Sequence, residues 1–335
     1  MDPLTTTLSR RVTVHDHLGL GDERALADDV LDGLTRPFKE LPPKHFYDAA
    51  GAVLFDRICD QPEYYPTRTE RAILEARAAE IVERTGAEEL VELGSGTASK
   101  TRILLQAMAD AGTLRRYVPI DVTEGMVRSV AEELTQEHPQ LEVHGLVGDF
   151  ERHLQHVPEP EGPRVVAFLG GTLGNFIPGS RRRFLRQLAR LLRPQDHLLL
   201  GTDLVKDPAI IEAAYDDAAG ITAAFNRNVL TVINRELDAD FDPEAFEHVA
   251  FFDREREWIE MRLRASRKMS VRVGALGLDV DFAPREEIRT EISAKFTPER
   301  LEGDLAAAGL ELAAVLTDPE ELFALSLSRP ADVSP

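Results

Sequence analysis

The segment VELGSGT, residues 91–97, joins a short apolar run to a glycine turn and could hold a small ligand. Gly94 and Gly96 lack a Cβ atom, so the backbone there can approach a bound molecule closely and can adopt positive φ values. Asp121 and Asp149 follow the next two apolar runs along the chain. Because the carboxyl ends of parallel strands meet at one edge of a sheet, we expect the turn and both carboxylates to line one crevice.

Ser99 distinguishes this turn from two other nucleotide sites. A dinucleotide-binding turn has its third glycine at that position, and a phosphate-binding P-loop has glycine there, directly before Lys100 and Thr101. The pattern that remains, E-x-G-x-G at a strand end, is typical of class I methyltransferases, which bind the amino-acid end of S-adenosylmethionine with it. No pyrophosphate then requires a third glycine.

The acidic residues match the rest of that cofactor. Asp121 can accept hydrogen bonds from both ribose hydroxyls, Asp149 can accept one from the adenine amino group, and Phe150 can pack on the purine. Aspartates at strand ends also cap helices, which is the alternative for any one of them alone. Their combination with the glycine turn favours the cofactor site.

The elements that must position these residues alternate between helix and strand from about residue 69. Strands that are apolar throughout, separated by helices, predict a parallel sheet covered on both faces, which is a Rossmann-like doubly wound α/β domain. Near residue 206 a long helical region begins. An antiparallel meander with two-residue alternation follows it, and a last helix and two strands are expected to complete the α/β sheet.

Two domains are therefore predicted, in keeping with a length of 335 residues. Residues 69–205 and 295–335 form the expected cofactor domain. Residues 15–68 and 206–294 form a second, inserted α+β domain for the substrate, and residues 1–14 are expected to be flexible. No long exposed apolar stripe is present, which predicts a monomer.

Composition restricts the class of partner. The net charge is −20, from 59 acidic and 39 basic residues, and such a field repels phosphate backbones and anionic lipid surfaces. The single cysteine, Cys59, excludes an intramolecular disulfide, and the first twenty residues lack the apolar run of a signal peptide. We therefore expect a cytoplasmic protein with a small-molecule substrate and neither a nucleic-acid nor a membrane partner. His153 and His156 could bind a metal, but without a third ligand nearby a solvated helix face is favoured and no metal is predicted.

The chain closely resembles the histidine-specific Nα-methyltransferases of ergothioneine biosynthesis, from about residue 41 to the C-terminus. The matching segments are PEYYPTRTE, VELGSGTASKTR, GDFERHL, FLGGTLGN, GTDLVKD, AYDDAAGITAAFNRNVL, INREL and EISAKF. The resemblance implies transfer of three methyl groups from S-adenosylmethionine to the α-amino group of L-histidine, giving the betaine hercynine and S-adenosylhomocysteine.

The resemblance also implies roles for individual residues. The cofactor contacts it implies are Gly94, Ser95, Gly96, Lys100, Asp121, Asp149 and Phe150. The substrate contacts are Tyr64, Gly170, Asn175, Tyr215, Met261, Glu291 and Ser293. Tyr47, Tyr64 and Asn175 are the residues expected nearest the reacting amine, where Tyr47 or Tyr64 could take up its proton in place of water.

The implied imidazole contacts have a physical basis. Glu291 can accept from a ring N–H, and the Ser293 hydroxyl can donate to the other ring nitrogen. Alternation puts both on one strand face. An apolar ring of the same size would leave these polar groups unpaired. From the residues alone, a solvated strand face is favoured for Glu291, a core position for Met261 and a turn for Asn175.

Three alternatives remain open. A methyltransferase acting on RNA or protein would share the cofactor half, but the charge argues against it. A regulator that binds S-adenosylmethionine without catalysis would not need Asn175, Glu291 and Ser293. A methyltransferase for another free amino acid or small amine is opposed only by the Glu291, Ser293 and Met261 pocket.

Overall fold

The computed structural model describes residues 4–9, 11–19 and 22–331. Contacts divide the chain into two compact units. The first unit comprises Met1–Gly19, Arg68–Leu204 and Phe296–Pro335, as far as these are described, and the second comprises Leu20–Thr67 and Val205–Lys295.

The strands in the described residues are β1 Leu4–Ser9, β2 Val12–Asp16, β3 Lys39–Glu40, β4 Glu89–Leu93, β5 Arg116–Asp121, β6 Glu142–Val147, β7 Arg164–Phe168, β8 His197–Asp203, β9 Phe246–Asp253, β10 Trp258–Ala265, β11 Met269–Val273, β12 Leu278–Phe282, β13 Glu287–Ala294, β14 Leu310–Thr317 and β15 Phe323–Pro330.

The α-helices in the described residues are α1 Asp22–Thr35, α2 Ala49–Cys59, α3 Tyr65–Thr85, α4 Thr101–Asp110, α5 Glu124–Glu137, α6 Phe150–His153, α7 Pro178–Leu191, α8 Pro208–Tyr215, α9 Ile221–Leu237 and α10 Pro298–Ala306. Short 3₁₀ helices span Pro43–Phe46, Leu154–His156, Thr172–Asn175, Pro243–Ala245 and Gly274–Leu276. Within residues 22–331, none of the helices has the length and apolar character that crossing a membrane requires.

The first unit contains a nine-stranded sheet in the order β1-β2-β6-β5-β4-β7-β8-β15-β14. The run from β2 to β8 is parallel, and β1, β15 and β14 pair antiparallel at the two edges. Strands β4, β5 and β7 are buried along nearly their whole length, as expected of strands covered on both faces. The predicted doubly wound α/β fold is confirmed, and the order of strands reverses at β4, where ligands bind in such sheets.

The N-terminal segment differs from the sequence expectation. Residues 1–14 were predicted to be flexible, yet within the described part β1 pairs with β2, and β2 extends the parallel sheet beside β6. Val12 and Val14 are buried in the core of this unit. Strand β2 is only five residues long and is hard to predict locally, because its pairing partner β6 lies more than a hundred residues away along the chain.

The second unit contains a four-stranded sheet, β3-β13-β10-β9, and a separate hairpin of β11 and β12. The predicted meander is therefore only partly continuous, because β13 returns past the hairpin to pair with β10. The long helical region also breaks into α8 and α9. Asp217 accepts hydrogen bonds from the amides of Ile221 and Thr222, and Gly220 has a φ of +70°, so a new helix begins there.

Candidate active site

The glycine turn follows β4 in the first unit and has the backbone that its sequence predicts. Gly94 has a φ of +71°, Gly96 a φ of +48° and the non-glycine Ala98 a φ of +52°. The Gly94 amide donates to the carbonyl of Ile120 at 2.8 Å, which continues the β4–β5 pairing into the turn. A Cβ atom on Gly96 would meet nothing within 4 Å, so open space lies beside this backbone.

Asp121 and Asp149 lie at the ends of the two strands next in the sheet. Asp121 accepts from the amides of Gly96 and Thr123, both at 2.9 Å, and so fixes the glycine turn to the end of β5. Asp149 caps α6 by accepting from the Glu151 amide at 2.8 Å. A carboxylate has about four acceptor positions, so these bonds leave room for ligand hydroxyl or amino groups.

Phe150 begins α6 beside the turn. Its ring lies 5.2 Å from that of Phe168 and 5.8 Å from that of Phe184. A Cβ on Gly94 would lie 3.6 Å from the Phe150 ring, so the ring borders the turn. An aromatic side chain supported in this way offers a flat, rigid surface for a purine.

Glu92, the acidic residue of the E-x-G-x-G pattern, is buried beneath the turn. It accepts hydrogen bonds from the hydroxyls of Thr101 and Tyr117, which ties the start of α4 and strand β5 to β4. Burial raises the pKa of Glu92 to about 7, although these bonds and the Lys100 ammonium oppose the rise. Glu92 therefore supports the turn through its bonds to the neighbouring elements.

Lys100, predicted to contact the cofactor, is engaged by a residue that the sequence analysis missed. Its ammonium pairs with Glu70, a fully buried carboxylate on α3. Glu70 also accepts from the amide of Gly170, at 2.8 and 3.0 Å to its two oxygens. Lys100 and Glu70 thus hold the glycine segment after β7, and a contact between Lys100 and the cofactor stays a prediction.

Gly201 on β8 provides a stability test of this buried carboxylate. A Cβ at Gly201 would lie 1.9 Å from Oε1 of Glu70 and 3.3 Å from the Gly170 amide nitrogen. Gly201→Ala must therefore displace Glu70 from both partners, and we expect the free energy of unfolding to fall by about 2–4 kcal/mol. Urea unfolding measures this change.

Gly303→Ala is the matched control for that experiment. Gly303 lies in α10 of the same unit, and a Cβ there meets nothing within 4 Å. Alanine is expected to stabilise that helix by about 0.5–1 kcal/mol. Equal stability of the Gly201→Ala variant and the wild type would refute a strict packing requirement at Glu70.

The residues around the turn fit S-adenosylmethionine. The buried hydroxyl of Ser95 has no hydrogen-bond partner within the described residues, which is unfavourable unless a ligand supplies one. The open space beside Gly96 and the acceptors at Asp121 and Asp149 match an amino acid joined to a nucleoside. Gly94, Ser95, Gly96, Asp121, Asp149 and Phe150 would hold that molecule.

Gly170 and Asn175 lie after β7 in the same unit. Gly170 is exposed with a φ of +79°, and Asn175 is half-buried at the end of the 3₁₀ helix Thr172–Asn175. His153 and His156 are on the first unit as well, where the His156 ring stacks on that of His17 at 4.0 Å. Among the described residues no group of three or more histidine, cysteine or acidic side chains is placed to hold a metal.

The second unit gathers the three predicted tyrosines. The Tyr47 ring lies 5.6 Å from Phe55, Phe55 lies 6.1 Å from Tyr64, and Tyr64 lies 6.4 Å from Tyr215. Desolvation raises the pKa of Tyr64 and of the 44% exposed Tyr47, and the nearby Glu291 and Tyr215 add to both effects. At neutral pH both phenols are therefore protonated, and neither is a phenolate base.

A β-bulge places Glu291. In the β10–β13 pair Arg289 lies opposite Arg262, but Glu291 lies opposite Met261, with a register shift between the two pairs. Directly opposed residues share a face, while the neighbours Met261 and Arg262 point to opposite faces. The bulge therefore places Glu291 on the face opposite to that of Arg289 and Arg262. Among the described residues, these two arginines form ion pairs with Glu260 and not with Glu291.

Ser293 follows Glu291 on this new face. Ser293 lies opposite Ile259, and both Ser293 and Met261 are almost fully buried. Lys295, just past the end of β13, donates to the Ser293 hydroxyl at 3.0 Å and to the Tyr215 hydroxyl at 3.1 Å. The structure therefore brings Tyr215, Glu291 and Ser293 together around a buried lysine that the sequence analysis did not select.

A second missed group lies behind Tyr215. The Thr290 hydroxyl donates to Oδ1 of Asn226, and Nδ2 of Asn226 lies 2.8 Å from Nδ1 of His248. Nε2 of His248 then donates to the backbone carbonyl of Tyr215 at 2.8 Å. Burial lowers the pKa of His248, which keeps the ring neutral with one donor and one acceptor, as these bonds require.

Glu291 should make the stability of the protein depend on pH. Burial raises its pKa from 4.5 to about 7, although Lys295 opposes the rise. Between these values the folded state retains a proton that the unfolded chain has lost, so stability falls as pH rises. Glu291→Gln does not titrate. Its unfolding free energy, relative to the wild type, is expected to increase by about 1–3 kcal/mol from pH 4.5 to 8.

Urea unfolding of both proteins at several pH values measures that difference. Other titrating groups cancel in the comparison, since the two proteins differ only at residue 291. A difference that stays constant between pH 4.5 and 8 would show that the Glu291 carboxyl is not desolvated in the folded protein.

Comparisons with known proteins agree with this chemistry. The family model for SAM-dependent, histidine-specific methyltransferases matches residues 26–330. A histidine N-alpha-methyltransferase of Mycolicibacterium smegmatis is 56% identical over 91% of this chain and 94% of its own length. One of Mycobacterium tuberculosis is 52% identical over 95% of this chain and 99% of its own length.

A more distant relative is the ergothioneine biosynthesis protein 1 of Schizosaccharomyces pombe, which is 30% identical over 76% of this chain and 34% of its own length. The family match spans most of both units, including the glycine turn and the strand that carries Glu291 and Ser293. This chain belongs to the family of SAM-dependent, histidine-specific methyltransferases.

Proposed function

We propose that the protein methylates the α-amino group of free L-histidine with S-adenosylmethionine, in three successive transfers that give the trimethylammonium betaine. One observation carries the choice of substrate: an acceptor, Glu291, and a hydroxyl, Ser293, share one strand face opposite Met261 and Ile259. The mycobacterial relatives, named for the same activity, support it. The betaine would serve ergothioneine biosynthesis.

The first unit is proposed to bind the cofactor through the glycine turn, Asp121, Asp149 and Phe150. When bound, S-adenosylmethionine supplies an electrophilic methyl group and leaves as S-adenosylhomocysteine. The turn backbone and the Ser95 hydroxyl, which has no partner in the described residues, would contact the amino-acid end. Asp121, which already holds the Gly96 amide, would accept from the ribose. We propose no metal cofactor.

The second unit is proposed to bind the imidazole and carboxylate of histidine. Glu291 accepts from a ring N–H, while the Ser293 and Tyr215 hydroxyls donate to the other ring nitrogen and to the carboxylate. Met261 supplies an apolar wall opposite Glu291. Asn175, Gly170 and Tyr64 stay proposed contacts of the same amino acid.

The amine must lose a proton before each transfer, since α-amino groups are substantially protonated near pH 7. The raised pKa values of Tyr47 and Tyr64 argue against a phenolate as the acceptor. We propose that water takes the proton and that the tyrosine hydroxyls orient the amine. Their rings can also face the growing alkylammonium group, because the face of an aromatic ring attracts a cation.

Mass spectrometry of the purified protein with S-adenosylmethionine and all twenty amino acids tests the function. A gain of three methyl groups on histidine alone is expected. Methylation of another amino acid would leave the cofactor assignment standing and overturn the imidazole assignment. Absence of any turnover, with S-adenosylmethionine bound, would indicate a binding protein instead of an enzyme.

The remaining assignments rest on the sequence. The charge of −20 and the single cysteine support a cytoplasmic enzyme with a small-molecule substrate and no nucleic-acid or membrane partner. A monomer is proposed, and light scattering at micromolar concentration tests it.

A further inference from the structure

Lys295 lies at the centre of the proposed histidine site without a role in the chemistry described so far. It continues the face of Glu291 and Ser293 by two-residue spacing, and it is 0% exposed. A fully buried lysine is rare unless its charge is paired or hydrogen-bonded. Its ammonium lies 3.0 Å from the Ser293 hydroxyl and 3.1 Å from the Tyr215 hydroxyl, and it interacts electrostatically with Glu291.

When Lys295 is protonated, chemistry fixes the direction of its two hydrogen bonds. An ammonium group carries three hydrogens and no acceptor, so the Ser293 and Tyr215 oxygens must both accept. A hydroxyl has one hydrogen of its own, which then points away from the lysine. Each hydroxyl can therefore donate this hydrogen to a group on the side away from the lysine.

We infer that Lys295 is a positioning residue that fixes the Ser293 and Tyr215 hydroxyls as hydrogen-bond donors to the substrate. This inference rests on the proposed function and deepens it. Ser293 donates to the unprotonated ring nitrogen, and Tyr215 donates to the carboxylate. Without the ammonium either hydroxyl could rotate and accept, so the site would lose its discrimination between donors and acceptors.

The arrangement specifies one form of the ring. Glu291 requires a ring N–H, and Ser293 as a donor requires a ring nitrogen with a lone pair. A neutral imidazole satisfies both, whereas a pyrrole ring offers only the N–H and a phenyl ring offers neither. Lys295 is therefore a specificity-determining residue that acts through Ser293.

Lys295→Met tests the inference, because methionine has similar length but neither charge nor donor. Calorimetry with L-histidine, in the presence of S-adenosylhomocysteine, should give binding about 10- to 100-fold weaker than in the wild type. The Kd of S-adenosylhomocysteine should not change. Preference for histidine over a pyrrolylalanine that lacks the acceptor nitrogen should fall at least about threefold.

Double variants separate positioning from a merely structural role. If Lys295 acts through Ser293, the loss in Lys295→Met/Ser293→Ala should be smaller than the product of the single losses by at least about threefold. Losses that multiply, or an unchanged preference for histidine over the pyrrole analogue, would overturn the inference. If Lys295→Met does not fold, Lys295→Gln, which removes the charge and adds an acceptor, is measured in the same cycle.

Lys39→Met is the matched control. Lys39 is a largely buried lysine of the same unit, paired with Glu286 and lying 5.2 Å from the centre of the Phe282 ring. Its loss should leave histidine binding and the preference between the two rings unchanged. A wild type that binds no histidine would defeat the proposed function and the inference with it, whereas histidine binding retained in Lys295→Met would defeat the inference alone.

Discussion

Glu291→Leu is expected to lower kcat/KM for L-histidine about 100-fold or more, because leucine cannot accept the ring N–H that the site is proposed to desolvate. The loss should exceed that of an ordinary surface change, since Glu291 lies among Met261, Ser293 and the buried Lys295. The ratio of kcat/KM for histidine to that for phenylalanine should fall as well. Steady-state assays with each amino acid measure both effects.

Glu247→Leu is the matched control for that variant. The same glutamate-to-leucine substitution is made on the neighbouring strand β9, where the Glu247 side chain is exposed. We expect kcat/KM for histidine to change less than about twofold. Histidine turnover that survives in Glu291→Leu would place the imidazole elsewhere, while leaving the cofactor site untouched.

Asp121→Ala is expected to weaken S-adenosylmethionine binding about 100-fold. The carboxylate holds the Gly96 and Thr123 amides, so its removal releases the glycine turn and also deletes the acceptor proposed for the ribose. Histidine binding, which is proposed for the second unit, is expected to be unchanged by this variant. Calorimetry with S-adenosylhomocysteine measures the cofactor effect directly.

Asp253→Ala controls for loss of an aspartate that organises a turn. Asp253 ends β9 and accepts from the amides of Glu255 and Arg256 at 2.9 and 3.1 Å, much as Asp121 holds its own turn. Its replacement should leave cofactor affinity unchanged. Comparable loss in both variants would mean that general destabilisation, and not the glycine turn, governs binding.

The central sheet was predictable because its signal is local and repeated. Each of β4, β5 and β7 is a short apolar run between helices, so the pattern alone indicates a buried parallel strand. The sequence gives little indication of strands β1 and β2, because β2 becomes a strand by pairing with the distant β6 and β1 by pairing with β2. The break between α8 and α9 depends on a single capping residue, Asp217, within an otherwise helical pattern.

The candidate site divides in the same way. The sequence by itself determined the glycine turn, since positive φ at Gly94 and Gly96 is a local property, and it placed carboxylates at the strand ends. Resemblance to a family pointed to Glu291 and Ser293, although residue types alone allowed a solvated strand. Their roles stay predictions until the variants above are measured.

Only the tertiary structure decided which face Glu291 occupies and what surrounds it. The bulge in the β10–β13 pair depends on register between strands, which no run of residues within β13 encodes. Glu70 with Lys100 and Lys295 with Tyr215 and Ser293 are likewise contacts between elements that fold together. Burying such charges costs free energy unless partners from other elements satisfy them, so only the fold reveals where a buried charge is tolerated.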